Sequence, residues 1–251
     1  MPNPTNQFQT RSDALVIFGI SGDLAKKMTF ISLYHLAKRG LLDIPVIGVA
    51  FSDWSDEDLR NHARQSVEAS GTKIDESVRA TFSAKLSYIK GDYTKAETYS
   101  AVKDALGSAT TPLFYLEIPP GLFLATVQGL HGAGLLGNAR VVIEKPFGHD
   151  YDSAVALYGD LAKILHDDQI YRIDHYLGKN AIQDIMVWRF ANSMFEPMWN
   201  NAHIESVQIT MAESFDVSDR GSFYDKVGAL KDVVQNHIMQ IIGLLSMDPP
   251  S

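Results

Sequence analysis

The sequence predicts an α/β fold: a doubly wound, Rossmann-type parallel sheet followed by the truncated start of an α+β domain. Three observations predict it. Short apolar runs alternate with helix-length segments from Ala14 to His166, the pattern of parallel strands joined by crossover helices. The turn after the first run is rich in glycine, with Gly19 and Gly22 three apart. Beyond Tyr176 the alternation stops, and a single strand-like run stands among helical ones. The expected domains are residues 1–175 and 176–251.

Taken in order, Ala14 to Ile20 is a continuous apolar run, as in a strand buried on both faces. It leads into Gly19-Ile20-Ser21-Gly22-Asp23-Leu24 and a helical pattern to about Arg39, with Gly40 where a helix stop belongs. A second strand, Pro45 to Ala50, precedes a helix from Ser55 to Ala69; Leu86 to Ile89 and Lys95 to Leu106 repeat the pair. Leu113 to Ile118 is the fourth strand, closed by Pro119-Pro120-Gly121 and a further helix. Ala139 to Ile143 is the fifth, followed by Glu144-Lys145-Pro146-Phe147-Gly148 and a helix from Tyr151 to His166. In the second region Asn180 to Phe190 reads as helix, Glu196 to Trp199 as a break, and His203 to Met211 as a strand. Ser214 to Asp225 reads as loop and Asp225 to Met247 as helix.

Composition narrows the function classes. The 251 residues are 45% hydrophobic and 21% charged, with a net charge of −8. An acidic chain of this kind does not point to nucleic acid or to an anionic membrane as partner. There is no cysteine, so thiolate metal sites, disulfides and cysteine nucleophiles are excluded, and no metal site is expected. The polar stretch Met1 to Thr10 lacks the apolar core of a secretory signal. No run approaches the ~18 apolar residues of a membrane helix. A cytoplasmic location is the expectation.

Strand, glycine turn and helix together suit a pyrophosphate, which backbone N–H groups and a helix N-terminus bind; an ordinary βα turn has the same outline. Gly19 would permit the tight turn and Gly22 a close approach. The densest chemistry lies in Gln169 to Lys179, which packs Asp174, His175, Tyr176 and Lys179 into six positions. Two cations with a phenol between them suit a phosphate, and Asp174 suits the orienting of an imidazole. A solvated charged linker is the plainer account of the same residues.

Arg172 to Lys179 reads RIDHYLGK, and it resembles the substrate-site signature of the glucose-6-phosphate dehydrogenase family. Gly19 to Lys27 resembles that family's nucleotide turn, Glu144 to Gly148 its EKPFG segment, and Asp232 to His237 (DVVQNH) its catalytic helix. The four occur in the family's order. Another Rossmann family of sugar oxidoreductases, some with Glu-Lys-Pro after a strand, fits RIDHYLGK and DVVQNH less well.

The resemblance implies an oxidoreductase that takes glucose 6-phosphate at C1 to 6-phosphoglucono-lactone, with hydride passing to NADP or NAD. That is the first step of the pentose phosphate pathway. It implies His237 as general base and Asp174 as its hydrogen-bonding partner. It further implies His175, Tyr176 and Lys179 on the sugar phosphate, and Lys145, Glu213 and Asp232 on sugar hydroxyls. Gly19, Ser21, Gly22, Asp23, Leu24, Phe51, Ser52, Asp53 and Lys145 would border the cofactor. Asp232 and His237, five apart, would flank an α-helical face rather than share it. Pro146 is a candidate cis-proline.

Two departures from the family qualify these roles. Members that use NADP carry an arginine after the second strand, where this chain has Phe51, Ser52 and Asp53. An aspartate suits a bare ribose 2′-hydroxyl, so NAD is a possible cofactor, and Lys26 or Lys27 could supply the missing charge. The second departure is length: the resemblance covers the N-terminal half of family chains and lacks most of the substrate domain, whose antiparallel sheet makes the homo-oligomer contact. A helix from Val227 to Met247 would then expose an apolar face. The alternative function is a catalytically incompetent nucleotide-binding fragment.

Overall fold

The structure is a computed structural model that describes residues 11–148, 150–174, 176–212 and 221–249. It divides into two compact units, one ending at Ile173 and the other beginning at Asp174.

The first unit is built on a six-stranded sheet, β1 (Ala14–Phe18), β2 (Val46–Ala50), β3 (Leu86–Lys90), β4 (Pro112–Leu116), β5 (Arg140–Ile143) and β6 (Ile170–Arg172). The strand order is β3-β2-β1-β4-β5-β6, with every neighbouring pair parallel. Each strand is short and its side chains alternate between faces, so two cores form. Ala14, Val16 and Phe18 pack with Val49, Phe114, Leu116 and the helices α4 (Ala96–Leu106), α5 (Phe123–Gly132) and α6 (Tyr151–Leu161). Leu15 and Ile17 face the other way, against α1 (Phe30–Lys38), α2 (Asp56–Ala69) and α3 (Glu76–Lys85). The strand order reverses direction between β1 and β4, which places a crevice at their carboxyl ends.

Local signals set most helix ends. Ser55 caps α2 through a reciprocal bond with Asp58. Gly40, at φ +68°, ends α1, its N–H donating to the Ala37 carbonyl while the Leu41 N–H donates to that of Leu36. Two elements were not expected. α3 has a single buried apolar residue, Phe82, and is instead nucleated by Asp75, whose carboxylate accepts from the Ser77 and Val78 N–H groups. β6 is only three residues long, below what periodicity detects, and is seated by Gln169, whose amide donates to the Leu136 and Ala139 carbonyls.

The second unit holds α7 (Asn180–Phe190), α8 (Gly221–Ala229) and α9 (Met239–Ser246), with a π-helical segment, Leu230–Ile238, between the last two. The loop expected up to Asp225 is helical from Gly221, and Gly228 (φ +68°) kinks it. The strand expected over His203 to Met211 is not formed: residues 204–212 carry no regular structure. Alternation supplies a face, but a strand needs a neighbour for its N–H and C=O groups. Among the described residues none pairs with this segment. Buried Arg189 ties α7 to α9 by donating to the Leu244 carbonyl at 2.6 Å, and the Trp199 indole donates to that of Leu245 at 2.9 Å. Cations and donors are well placed at a helix C-terminus.

The tightest backbone approach in the first unit lies at Gly19, φ +89°, where an added Cβ would sit 2.1 Å from the Glu117 carbonyl oxygen. Gly40 has a similar φ but open space around it. Gly40→Ala is expected to cost about 1 kcal/mol, from left-handed strain alone. Gly19→Ala must also displace backbone and is expected to cost at least about 2 kcal/mol more. Thermal unfolding of the two variants checks this, and equal losses would refute the steric account.

Candidate functional site

The carboxyl ends of β1, β2, β4 and β5 gather one group of candidate residues. At the end of β1 the chain turns through Gly19, whose N–H donates to the Val49 carbonyl at 2.8 Å. The Gly22 N–H closes the turn on the Gly19 carbonyl at 2.8 Å. Ser21, Gly22, Asp23 and Leu24 then lead into π-helical Ala25–Thr29 and α1. The first N–H groups of such a helix have no partner within it. They fit an anion such as a dinucleotide pyrophosphate, and no side chain at Gly19 or Gly22 obstructs approach. Asp23 is bonded to Lys27 one turn on, at 2.9 Å, and this pair holds its carboxyl below the usual carboxylate range.

The loop after β2 is fastened to that turn. Ser52 Oγ donates to Ser21 Oγ at 2.9 Å. The Tyr88 hydroxyl of β3 lies 3.0 Å from the Ala50 carbonyl oxygen and 2.7 Å from that of Ser52, and burial pushes its pKa up to about 12. The Phe51 ring is exposed on one side and meets Tyr93 edge-on at 5.1 Å. Asp53 is paired, and with neither Lys26 nor Lys27: the Lys90 ammonium, at the end of β3, lies 2.9 Å from its Oδ1.

At the end of β5, Lys145 is half-buried and its peptide bond to Pro146 is cis, as expected. Beside it lies a polar cluster that sequence reasoning missed. Tyr115 donates its hydroxyl to Glu144 Oε1, and Thr29 Oγ1 donates to Glu117 Oε1 at 2.5 Å. Glu117 Oε2 is shielded from solvent and meets no hydrogen-bond partner among the described residues. A carboxylate directly after an apolar strand, between Leu116 and Ile118, was the available signal. Burial pushes the Glu117 carboxyl up to about 7; the Thr29 bond opposes this and the Glu144 charge adds to it.

The second unit gathers the other group. Tyr176 and His237 are both buried and pack edge to face, ring centroids 4.4 Å apart. The Lys179 ammonium stands 5.2 Å from the centre of the Tyr176 ring, a cation–π contact. The Tyr176 hydroxyl lies 3.8 Å from Met211 Sδ, and burial raises its pKa. Asp174 Oδ1 accepts the Tyr176 and Leu177 N–H groups at 2.9 and 3.4 Å, which shapes the turn. None of its described hydrogen bonds reaches His237. His175 and Glu213 lie outside the described residues.

His237 sits on the π-helical segment, which changes the expected geometry. π-Helical bonds span five residues, so residues five apart lie much nearer one another around the axis than in an α-helix. Asp232 and His237 therefore share a face rather than flank one. Asn236 shows the same spacing, its side-chain amide donating to the Lys231 carbonyl at 2.8 Å. This corrects the α-helical estimate made from sequence.

Comparison with known proteins follows this geometry. Residues 16–184 match the family domain described as "Glucose-6-phosphate dehydrogenase, NAD binding domain", and residues 186–251 match "Glucose-6-phosphate dehydrogenase, C-terminal domain". The chain is 49% identical over 239 residues to Glucose-6-phosphate 1-dehydrogenase 1 of Mycobacterium tuberculosis, covering 95% of this chain and 51% of that protein. It is 42% identical over 249 residues to Glucose-6-phosphate 1-dehydrogenase of Bacillus subtilis, covering 94% and 50% respectively. Among solved structures it is similar to Glucose-6-phosphate 1-dehydrogenase from Mycobacterium avium, with a TM-score of 0.85 and 47% identity over 96% of this chain and 54% of that one. A glucose-6-phosphate dehydrogenase in complex with its substrate glucose-6-phosphate gives 0.87 and 36%, over 96% and 53%. The chain spans about half the length of the curated relatives it matches.

The raised Glu117 carboxyl makes a signed prediction. Between the ordinary value of 4.5 and about 7 the folded state holds a proton that the unfolded chain has released. Stability therefore falls as pH rises through this window, by up to about 3 kcal/mol. Glu117→Gln removes the titration, so its melting temperature relative to the parent should climb from pH 4.5 to 7 and then level off. Parallel pH profiles for the two proteins would refute the shift.

Proposed function

The chain belongs to the glucose-6-phosphate dehydrogenase family, and on that premise we propose that it carries the nucleotide-binding and catalytic residues of a glucose-6-phosphate 1-dehydrogenase. The observation that supports this best is the buried Tyr176–His237 pair with Lys179 over the tyrosine ring. On this reading His237 is the proton acceptor and Lys179 the phosphate-binding cation, the two functions that oxidation of a phosphorylated sugar requires.

The bound nicotinamide, NADP or NAD, supplies the acceptor for the C1 hydride. His237 takes the proton of the C1 hydroxyl as the C1=O bond forms, which balances the hydride lost from the same carbon. Asp232, on the face of His237, suits a neighbouring sugar hydroxyl. Lys179, with His175 and Tyr176, holds the 6-phosphate as a localised positive charge. Asp174 acts on this group through the turn that it caps. Glu213 completes the sugar contacts, and Lys145 touches sugar and nicotinamide. Gly19, Ser21, Gly22, Asp23 and Leu24 receive the pyrophosphate; Phe51, Ser52 and Asp53 border the adenosine ribose. The lactone is released for the pentose phosphate pathway, in the cytoplasm. The whole enzyme is a homo-oligomer whose contact lies in the C-terminal sheet.

A second reading, a nucleotide-binding chain without turnover, is favoured by one observation. Leu230, Met239 and Ile242 are 71, 53 and 40% exposed along the segment that carries His237. A catalytic helix that shows water so much apolar surface lacks part of its packing.

The test is nicotinamide reduction by the purified chain with glucose 6-phosphate, NADP and NAD in parallel. Turnover is expected to fall by about 10²–10⁴-fold in His237→Ala. Lys179→Ala should raise KM for the sugar phosphate more than it lowers kcat. Nucleotide binding with no turnover in the parent would favour the second reading, and turnover unchanged by His237→Ala would refute the base.

A further inference from the structure

The residues that follow β2, Phe51, Ser52 and Asp53, include no cation that could meet a 2′-phosphate, and the structure brings Lys90 to this loop instead. β3 lies beside β2, with Lys90 paired in register to Ala50, the last residue of β2. The Lys90 side chain crosses the strand end to Asp53, Nζ to Oδ1 2.9 Å. Lys90 is therefore the one cation that a contact among the described residues fastens to this loop. Lys27 is engaged with Asp23 on the helix after the glycine turn, and Lys26 is the neighbour whose charge bears on Asp23 and His62.

The loop itself is built rather than loose. Tyr88 grips the Ala50 and Ser52 carbonyls, Ser52 is bonded to Ser21, and Ser55 begins α2 with a capping box. Asp53 is thus fixed on a short, braced segment beside the ribose edge of the glycine turn. Asp53 and Lys90 are exposed, with side-chain accessibilities of 90 and 59%. An ion pair in that much water contributes little, so the ammonium is poised near the loop without being locked to it.

We propose that Lys90 determines cofactor choice in this chain, reading the 2′-phosphate of NADP at the end of β2, with Asp53 as its partner only while no such phosphate is bound. This rests on the dinucleotide reading given above. Without nucleotide, Asp53 holds the ammonium at the ribose edge. A 2′-phosphate carries more charge than one carboxylate and draws the ammonium to itself, and the four-carbon stem allows the exchange. NAD leaves the Lys90–Asp53 pair intact and makes no demand on it. The aspartate that would repel a 2′-phosphate is thereby neutralised, and the chain accepts both nucleotides while favouring NADP.

The experiment is calorimetric titration of the whole chain with NADP and with NAD, with no sugar present. Lys90→Ala should weaken NADP about tenfold, equivalent to about 1.4 kcal/mol, and leave NAD within about twofold. Lys90→Arg should restore NADP, and added salt should weaken NADP binding more in the parent than in Lys90→Ala. Asp53→Asn should not weaken NADP, because it removes the repelling charge. Equal losses for both nucleotides, or none for either, in a well-folded Lys90→Ala overturn the proposal while leaving the dinucleotide reading standing. A parent chain that binds neither nucleotide overturns the dinucleotide reading itself, and the role of Lys90 with it.

Discussion

The first unit depends on one close approach. The turn leaving β1 passes so near the chain leaving β4 that Gly19 tolerates no side chain. These two strands flank the reversal in sheet order, so the contact closes the floor of the crevice in which such folds bind ligands. Other features follow from it. Gly19 is held to the end of β2 through Val49, Ser21 reaches Ser52, and Thr29 reaches Glu117 across the same junction. The glycine turn is thus fixed from three sides by bonds that a displaced turn would forfeit together.

The same junction explains the buried acid. Glu117 leaves β4 where its backbone must face Gly19, and its side chain is drawn into the space between Thr29 and the Tyr115–Glu144 pair. Shielding beside the Glu144 side chain makes the Glu117 carboxyl costly to ionise. The chain accommodates the two side chains with hydroxyl donors rather than with cations. This is unlike the Asp53–Lys90 pair at the ends of β2 and β3, where solvent does most of the screening. One sheet edge therefore carries a desolvated acid and a solvated ion pair, and the two respond differently to pH and to salt.

What the sequence shows is what local chemistry dictates. Apolar runs gave β1, β2, β4 and β5 within a few residues, because buried strands read as such runs, and the half-exposed edge strand β3 was read from the shorter Leu86 to Ile89. Ser55 and Gly40 marked helix ends through side-chain oxygen and positive φ. The failures lie where a partner decides. Val207, Ile209 and Met211 alternate as a strand would, yet no neighbour pairs with them among the described residues. β6 is a strand only because β5 and Gln169 hold it. Asp174, Tyr176 and Lys179 stood out as polar chemistry packed into one short stretch, whereas His237 was singled out only by the resemblance of its DVVQNH segment. The Lys90–Asp53 contact was not legible, since 37 positions separate its members and only the β2–β3 register joins them.

The helix that bears His237 shows which constraint takes precedence in the second unit. Leu230 on this segment and Met239 and Ile242 on α9, which continues it, face water, while His237 is 9% exposed. Stability alone would favour the reverse arrangement, because burying a leucine contributes and burying an imidazole costs. The winding itself is altered to permit it. Gly228 kinks the chain ahead of the segment, and π-turns carry Asp232 round to the face of His237. The far end is then anchored by Arg189 and Trp199 on the last carbonyls of α9. With one end kinked and the other pinned, the rotation of the segment is set, and its rotation is what seats His237 against Tyr176. A segment held in this way keeps one imidazole packed against Tyr176 while Leu230, Met239 and Ile242 remain exposed.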